Sequence, residues 1–266
     1  MPGHYSCAMS NGTDRPAALV QSVDRAVTVL EILARRGDAG VTEIAAELGV
    51  HKSTASRLVG ALEARGLVEQ LSGRGKYRLG LGMVRLAGAA AARIDLPGAA
   101  GHVCARVAGE LGETVNVAVL DDDQTVNVCQ ALGPSAVNSY NWVGRRTPSH
   151  ATSSGKVLLA YAPAEVRRAA LAGPLTAYTP RTITDPGVLA RQLSEAERAG
   201  WASTVEELEI GLHAVAAPVR GAGGRVVAAI SVAGPSYRLP ERMFAERAAR
   251  LREAAAEIGG SLGNPG

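Results

Sequence analysis

The chain has 266 residues, enough for one large domain or two modest ones, each with its own core. Its formal charge of +3 excludes a protein that coats nucleic acid along its whole surface, so any DNA affinity must come from a local cluster of cations. The three cysteines, Cys7, Cys104 and Cys129, are odd in number and far apart, without CxxC spacing, and the five histidines are scattered. That pattern argues against a disulfide framework and a structural zinc site.

No apolar run is long enough to cross a bilayer, and residues 1–18 lack the continuous apolar core of a signal peptide. These features point to a soluble, cytoplasmic protein with no membrane partner. Residues 1–18 are rich in Gly, Ser, Pro and Asn and read as a mobile tail. Ser22 is placed to cap a first helix whose apolar face is Val23, Ala26, Val27, Leu30, Ile32 and Leu33, ending at Arg35-Arg36-Gly37.

Thr42 is placed to cap a short second helix, Glu43 to Leu48, and Gly49 permits a sharp turn. In the next helix Ala55, Leu58, Val59 and Leu62 follow the spacing of one buried stripe, leaving Ser53, Thr54, Ser56 and Arg57 outward. Short hydroxyls let such a helix lie deep in a groove. After Gly66 the period changes, and Leu67 to Leu71, Ser72-Gly73-Arg74-Gly75 and Lys76 to Leu79 read as a hairpin with a basic tip. Two short helices about a glycine turn, followed by a basic hairpin, form a winged helix-turn-helix. Lys52, Ser53, Thr54, Ser56 and Arg57 on the helix, with Arg74, Lys76 and Arg78 on the wing, are the candidate DNA contacts. The cations would meet phosphates, whereas Arg57, Thr54 and Ser53 would reach base edges, and Glu43, Glu47 and Glu63 fall elsewhere in the pattern.

Leu81 to Ile94 is alanine-rich and strongly helical, a linker helix whose small residues allow close approach to a partner. Asp95-Leu96-Pro97-Gly98 marks a boundary, and a helix restarts over Ala99 to Leu111. Thr114 to Leu120 and Thr125 to Gln130 alternate as strands around Asp121-Asp122-Asp123-Gln124, which reads as a solvated turn because the remaining ligand spacing of a calcium loop is missing. A further strand is expected over Ala136 to Val143, carrying Tyr140 and Trp142, before Gly144 to Pro148 breaks the pattern. Helices follow near Thr152 to Tyr161, Pro163 to Leu171 and Pro186 to Ala199, and strands near Ala202 to Val205, Leu212 to Val219 and Val226 to Val232. Arg220 to Gly224 is a hairpin turn, and Leu239 to Leu262 closes the chain as an amphipathic helix.

The sharpest local signal in this half is Thr152-Ser153-Ser154-Gly155, where a helix start flanked by small side chains offers unpaired amides to an anion. Gly155-Lys156 lacks the upstream glycine and following hydroxyl of a nucleotide-binding loop, so nucleotide hydrolysis is rejected. Trp142 and His213 are candidates for a pocket edge, and ordinary core packing is the competing role for each. A hydrolase built on His150, Ser153 and Ser154 is the alternative function, but no nucleophile elbow or paired carboxylate accompanies them. A redox module would need an exposed, activated cysteine, and the apolar surroundings of Cys104 and Cys129 suggest burial.

From Ser22-Val23-Asp24-Arg25-Ala26 through Lys52-Ser53-Thr54 to Tyr77-Arg78-Leu79-Gly80, the sequence resembles the amino-terminal domain of the IclR family of bacterial transcriptional regulators. His150-Ala151-Thr152-Ser153-Ser154-Gly155-Lys156, Gly211-Leu212, Ala216-Ala217-Pro218-Val219 and Ala228 to Pro235 resemble that family's effector-binding domain, in order. The resemblance implies an α+β protein: an N-terminal winged helix-turn-helix over 19–80, a linker helix over 81–95, and a GAF-like antiparallel-sheet effector-binding domain over 96–263. It implies a ligand-responsive regulator, commonly a repressor and not an enzyme, without a cofactor, that binds pseudo-palindromic double-stranded operator DNA as a dimer or dimer of dimers. It also places the effector at Ser153, Ser154, Thr204, Ala214, Ser231 and Ala233, beside the helix start that ends in Gly155. Thr204, Ala214 and Ala233 stand where the small-acid members carry aspartate, cysteine and serine, which implies a bulkier or more apolar organic acid than a two-carbon keto acid.

Overall fold

The computed structural model describes residues 20–71, 75–91, 96–135 and 141–263, and the chain divides into two compact units between Ala90 and Ala91. The expected tail, the wing tip with Arg74, and Tyr140 lie outside the described residues.

In the first unit, α1 (Gln21–Arg36), α2 (Val41–Leu48) and α3 (Lys52–Glu63) enclose a core of Val29, Ile32, Leu33, Ile44, Ala55, Val59 and Leu62. Charge follows the helix dipole in α1, with Asp24 in its first turn and Arg35 and Arg36 in its last. Two expectations for this region are corrected. Val20, not Ser22, precedes the helix, so Ser22 lies within the first turn. Val23 and Val27 are 60% and 49% exposed, because the face turned inward is centred on Val29, Ile32 and Leu33.

A two-residue strand, β1 (Ala39–Gly40), leads directly into α2 and pairs with β3 (Lys76–Leu79), which also pairs with β2 (Val68–Gln70). Because β1 feeds the helix without a loop, Gly40 occupies the cap position and Thr42 lies inside α2. The Glu43 carboxylate closes that end by accepting the Gly40 N–H at 2.7 Å. Gly49 ends α2 at φ +65°, the left-handed conformation that turns the chain toward α3. The alanine-rich α4 (Leu81–Ala91) follows the wing, and residues 92–95 of the expected linker helix lie outside the described residues.

The second unit is built on a six-stranded antiparallel sheet. Its strands are β4 (Thr114–Asp121), β5 (Gln124–Ala131), β6 (Arg146–Pro148), β7 (Ala202–Val205), β8 (Leu212–Arg220) and β9 (Val226–Pro235), in the order β6-β5-β4-β9-β8-β7. One face carries Val115, Val117, Val215, Ala217, Ile230 and Val232, which pack with residues of α5 (Leu96–Leu111) and α9 (Phe244–Leu262). The other face carries Ala216 and Ala229, which meet Val157 and Leu159 of α6 (Ser153–Ala160) and Leu189 and Leu193 of α8 (Pro186–Ala199). A short helix, α7 (Ala164–Ala172), links these two.

Pro97 and Gly98 do not delay the restart of α5 to Ala99, since the helix begins at Leu96 and a proline in the first turn forfeits no intrahelical bond. The strand expected over Ala136 to Val143 falls mostly outside the described residues. Residues 136–140 lie outside the described residues, Asn141 and Trp142 are not extended into the sheet, and Val143 makes an isolated bridge to Asn127. A strand does form at Arg146–Pro148, where the pattern was expected to break, and its proline is tolerated because β6 is an edge.

Candidate functional site

Of the outward residues of α3, Lys52, Ser53, Ser56 and Arg57 are exposed and Thr54 is half-buried. Lys52 and Arg57 form no ion pair among the described residues. The wing cations differ. Lys76 Nζ lies 2.6 Å from Asp38, and Arg78 Nε lies 2.6 Å from Glu69, its cross-strand neighbour. Carboxylates therefore stand beside the wing, where the helical pattern of Glu43, Glu47 and Glu63 gave no sign of them. Glu47 instead pairs with Arg35 and Arg36, and Glu43 pairs with Arg36 across α1 and α2.

The second unit holds a cavity of about 800 Å³, within the ~300–1,000 Å³ typical of small-molecule sites. Ser153, Ser154, Thr204, Ala214, Ser231, Ala233 and Trp142 all line it. The strand register explains their convergence: Thr204 faces Ala214, Ala214 faces Ala233, and Ala233 faces Thr114, which makes one row across four strands. Thr152 caps α6, its Oγ1 accepting the Gly155 N–H at 3.2 Å and donating to the Pro148 carbonyl at 3.1 Å. The amides of Ser153 and Ser154 precede the first intrahelical bonds and point with the positive end of the helix dipole.

Three expected roles are corrected. Gly155 does not line the cavity: its amide is taken by Thr152, and a Cβ there would stand 2.3 Å from Ser149 Cα, so this glycine is required by close backbone packing. His213 is buried on the opposite side of the sheet, with Nδ1 2.9 Å from the Leu239 carbonyl and its ring edge-on to Phe244. His150 points to the Thr176 carbonyl at 3.0 Å and lies near the Tyr178 ring, and no histidine among the described residues lines the cavity. With no base beside Ser153 or Ser154, the hydrolase arrangement is absent from the described residues.

The cavity also uses residues that the sequence reading passed over. Asn116 and Asn127 stand in the two Thr-Val-Asn-Val stretches of β4 and β5, and Gln130 accepts the Trp142 N–H at 3.1 Å. Asparagine is disfavoured inside strands, so the repeated Val-Asn-Val pattern was the available signal. These carboxamides add polar groups to a wall on which Thr204, Ala214 and Ala233 offer few. Leu208, Glu209, Ile210 and Gly211, between β7 and β8, complete the wall.

That loop is anchored from behind. Lys156 Nζ, 1% exposed, donates to both carboxylate oxygens of Glu207 at 2.5 and 2.7 Å. Burial pushes the Lys156 ammonium below and the Glu207 carboxyl above its ordinary range, while their mutual attraction opposes both shifts. Thr179 and Thr182 hydroxyls donate to the Glu206 and Glu207 carbonyls, each at 2.6 Å, and hold Glu206 at φ +57°.

Cys104 is buried, but Cys129 is only partly so. The two thiols interact electrostatically, the neighbouring Cys104 lowering Cys129 to about 7 and Cys129 together with burial raising Cys104. Iodoacetamide is therefore expected to modify Cys129 well before Cys104 in a Cys7→Ser background, with peptide mass spectrometry as the measurement. Equal labelling of the two would contradict the difference in burial and thiol acidity.

No helix among the described residues is long and apolar enough to cross a membrane. Residues 22–72 match the IclR helix-turn-helix domain, and residues 88–259 match the bacterial transcriptional regulator IclR C-terminal domain. The chain is 34% identical over 245 residues to the HTH-type transcriptional repressor AllR of Escherichia coli K12, covering 91% of this chain and 90% of that one. It is 31% identical over 249 residues to the regulator XynR of the same organism, covering 93% and 99%. Among solved structures, an IclR homolog from Microbacterium hydrocarbonoxydans complexed with 4-hydroxybenzoate superposes with a TM-score of 0.82 at 32% identity, covering 91% of this chain and 98% of that one. A regulator from Alicyclobacillus acidocaldarius gives 0.80 at 32% identity, covering 92% and 99%. These relatives are transcriptional regulators rather than enzymes, with a helix-turn-helix for DNA and, in one case, a small molecule bound. Two domain matches in sequence order and relatives aligned over nine-tenths of the chain make this protein a member of the IclR family of bacterial transcriptional regulators.

Proposed function

We propose that this chain is a cytoplasmic repressor that releases or tightens on a pseudo-palindromic operator when a small organic acid enters the second unit's cavity. The observation that carries the DNA half is α3, whose exposed face bears Lys52 and Arg57 without an internal counter-charge. Ser53, Thr54 and Ser56 add short donors and acceptors, and Arg74, Lys76 and Arg78 would track the flanking phosphates. For Lys76 and Arg78, phosphate contact would replace an existing surface ion pair, so their contribution is smaller than charge counting suggests.

A dimer, or a dimer of dimers, would present two recognition helices to half-sites about 10 bp apart or a multiple of it. In this arrangement residues 19–80 bind DNA, 81–95 link and dimerise, and 96–263 sense the effector. The Ser153 and Ser154 amides supply the anion site, with Thr204, Ala214, Ser231, Ala233 and Trp142 around the rest of the ligand. A cavity of about 800 Å³ suits an acid larger than a two-carbon keto acid.

Fluorescence anisotropy against the DNA upstream of the protein's own gene, beside a scrambled duplex, tests the reading. Selective binding that weakens with salt and changes with one acid supports it. Equal affinity for both duplexes at every salt concentration refutes it. Arg57→Ala is expected to cost ~1–3 kcal/mol and to relax preference at one operator position. A binding selection that returns the wild-type site preference would remove Arg57 from base recognition.

A further inference from the structure

The two cysteines of the second unit belong to different elements and meet in one place. Val117 of β4 and Cys129 of β5 are cross-strand partners, so their side chains share a face, and Val117 lies on the face that packs with α5 and α9. Cys104 belongs to the stripe Ala100, Val103, Cys104, Val107 and Ala108 that α5 turns into the same core, and Cys129 packs against that core. There the two thiols are near enough to interact. Among the described residues no third ligating side chain joins them to make a metal centre, so the pair is a dithiol.

Their surroundings give them different chemistry. Cys104 beside it brings Cys129 to about 7, so at neutral pH Cys129 holds a standing share of thiolate, the form that attacks an electrophile. Its partial exposure admits a molecule as small as a peroxide. Cys104 is fully enclosed and keeps its proton.

We infer that Cys129 and Cys104 are the attacking and resolving thiols of a peroxide-responsive pair that closes to a disulfide tying α5 to β5. The Cys129 sulfur attacks one oxygen of hydrogen peroxide, the O–O bond breaks, and the departing hydroxide takes up a proton to leave as water, which gives a sulfenic acid. The Cys104 sulfur then attacks the Cys129 sulfur, and the sulfenic hydroxyl leaves as water with the Cys104 proton. Two thiols have given up two electrons, peroxide has accepted them, and one S–S bond and two waters result. The first step readies the second, since a neutral sulfenic acid no longer repels a Cys104 thiolate as the Cys129 thiolate did. The tie also has reach: α5 is the first helix after α4 in the chain, and β5 carries Asn127 and Gln130 in the cavity lining.

The test treats the full-length Cys7→Ser protein with submillimolar hydrogen peroxide, blocks remaining thiols under denaturing conditions, and maps the peptides without reductant. A peptide pair joined through Cys104 and Cys129, from a protein that still runs as a single chain, is the expected result, and dithiothreitol should abolish it. Cys104→Ala should stop the reaction one step earlier, leaving a Cys129 sulfenic acid that dimedone captures. Should that variant fail to fold, dimedone present during oxidation of the Cys7→Ser protein should divert Cys129 from the disulfide into the adduct. The oxidised protein should also melt above the reduced one, because the link restricts the unfolded chain. Cys129 carried on to sulfinic acid beside an intact Cys104, a Cys129 disulfide between two chains, or both thiols unchanged would each overturn the inference. So would an oxidised protein that melts lower than the reduced one, since the thiols would then not be placed for a bond.

Discussion

Replacing Lys156 with methionine is expected to destabilise the second unit by about 3–5 kcal/mol, because it strands the Glu207 carboxylate in a site where no other described residue forms an ion pair with it. At this size the loss corresponds to a fall in melting temperature of roughly 10 °C. Glu207→Leu is expected to act similarly, leaving a lysine that burial already drives toward its neutral form. The double variant Lys156→Met/Glu207→Leu should recover most of the stability, since the charges and their desolvation disappear together. Urea titrations of the four proteins form the double-mutant cycle. Additive losses would show that the pair does not act as a unit. Either single variant should also weaken effector binding beyond its effect on stability, because Glu207 fixes the start of the loop that brings Leu208 to Gly211 to the cavity.

The second large effect is expected at Gly155. An added methyl would sit 2.3 Å from both Ser149 Cα and Ser149 O, backbone atoms that cannot swing aside. Gly155→Ala should therefore cost about 3 kcal/mol, the upper end for overpacking, and displace the Ser153 and Ser154 amides. Gly109→Ala is the matched control: it lies in a helix with nothing within 4 Å of the added atom, so exchange there should stabilise by ~0.5–1 kcal/mol. Thermal unfolding of both variants decides the matter. A Gly155→Ala protein as stable as the Gly109→Ala protein would mean that α6 and the preceding turn are not packed as described.

Much of this architecture was legible because local sequence states it. Asp185-Pro186 and Gly200 bracket a periodic stretch, and α8 occupies Pro186–Ala199 as read, with Asp185 Oδ1 accepting the Val188 N–H. The stripe Ala55, Leu58, Val59 and Leu62 likewise faces the core because the helical period leaves it no other choice. Features that depend on distant partners were not legible. The strand β1 is two residues long and exists through pairing with Tyr77 and Lys76, which displaced the expected cap from Thr42. The strand β6 hides behind a proline whose edge position is a property of the whole sheet. In the cavity, Ser153 is legible as the start of a helix and Ser231 through family resemblance, while Asn116, Asn127 and Gln130 carry no local mark beyond their strands. Lys156 was judged against a phosphate-binding pattern, and nothing nearby in the sequence indicates that Glu207, 51 residues away, neutralises it.

The strands of the second unit alternate between two obligations. Val115, Val117, Val215, Ile230 and Val232 maintain the packed side, and Thr114, Asn116, Ala214, Ser231 and Ala233 face the ligand space from neighbouring positions on the same strands. Successive side chains of a strand fall on opposite faces, so the two sets can diverge independently. Substitutions at the cavity-facing positions therefore alter the ligand space without altering the valine face packed on α5 and α9. Inserting or deleting a single residue within one of these strands would do the opposite, presenting the valines to the signal and the asparagine to the helices at a stroke. Point substitution, rather than change of length, is thus the route by which such a sheet changes the ligand space it presents.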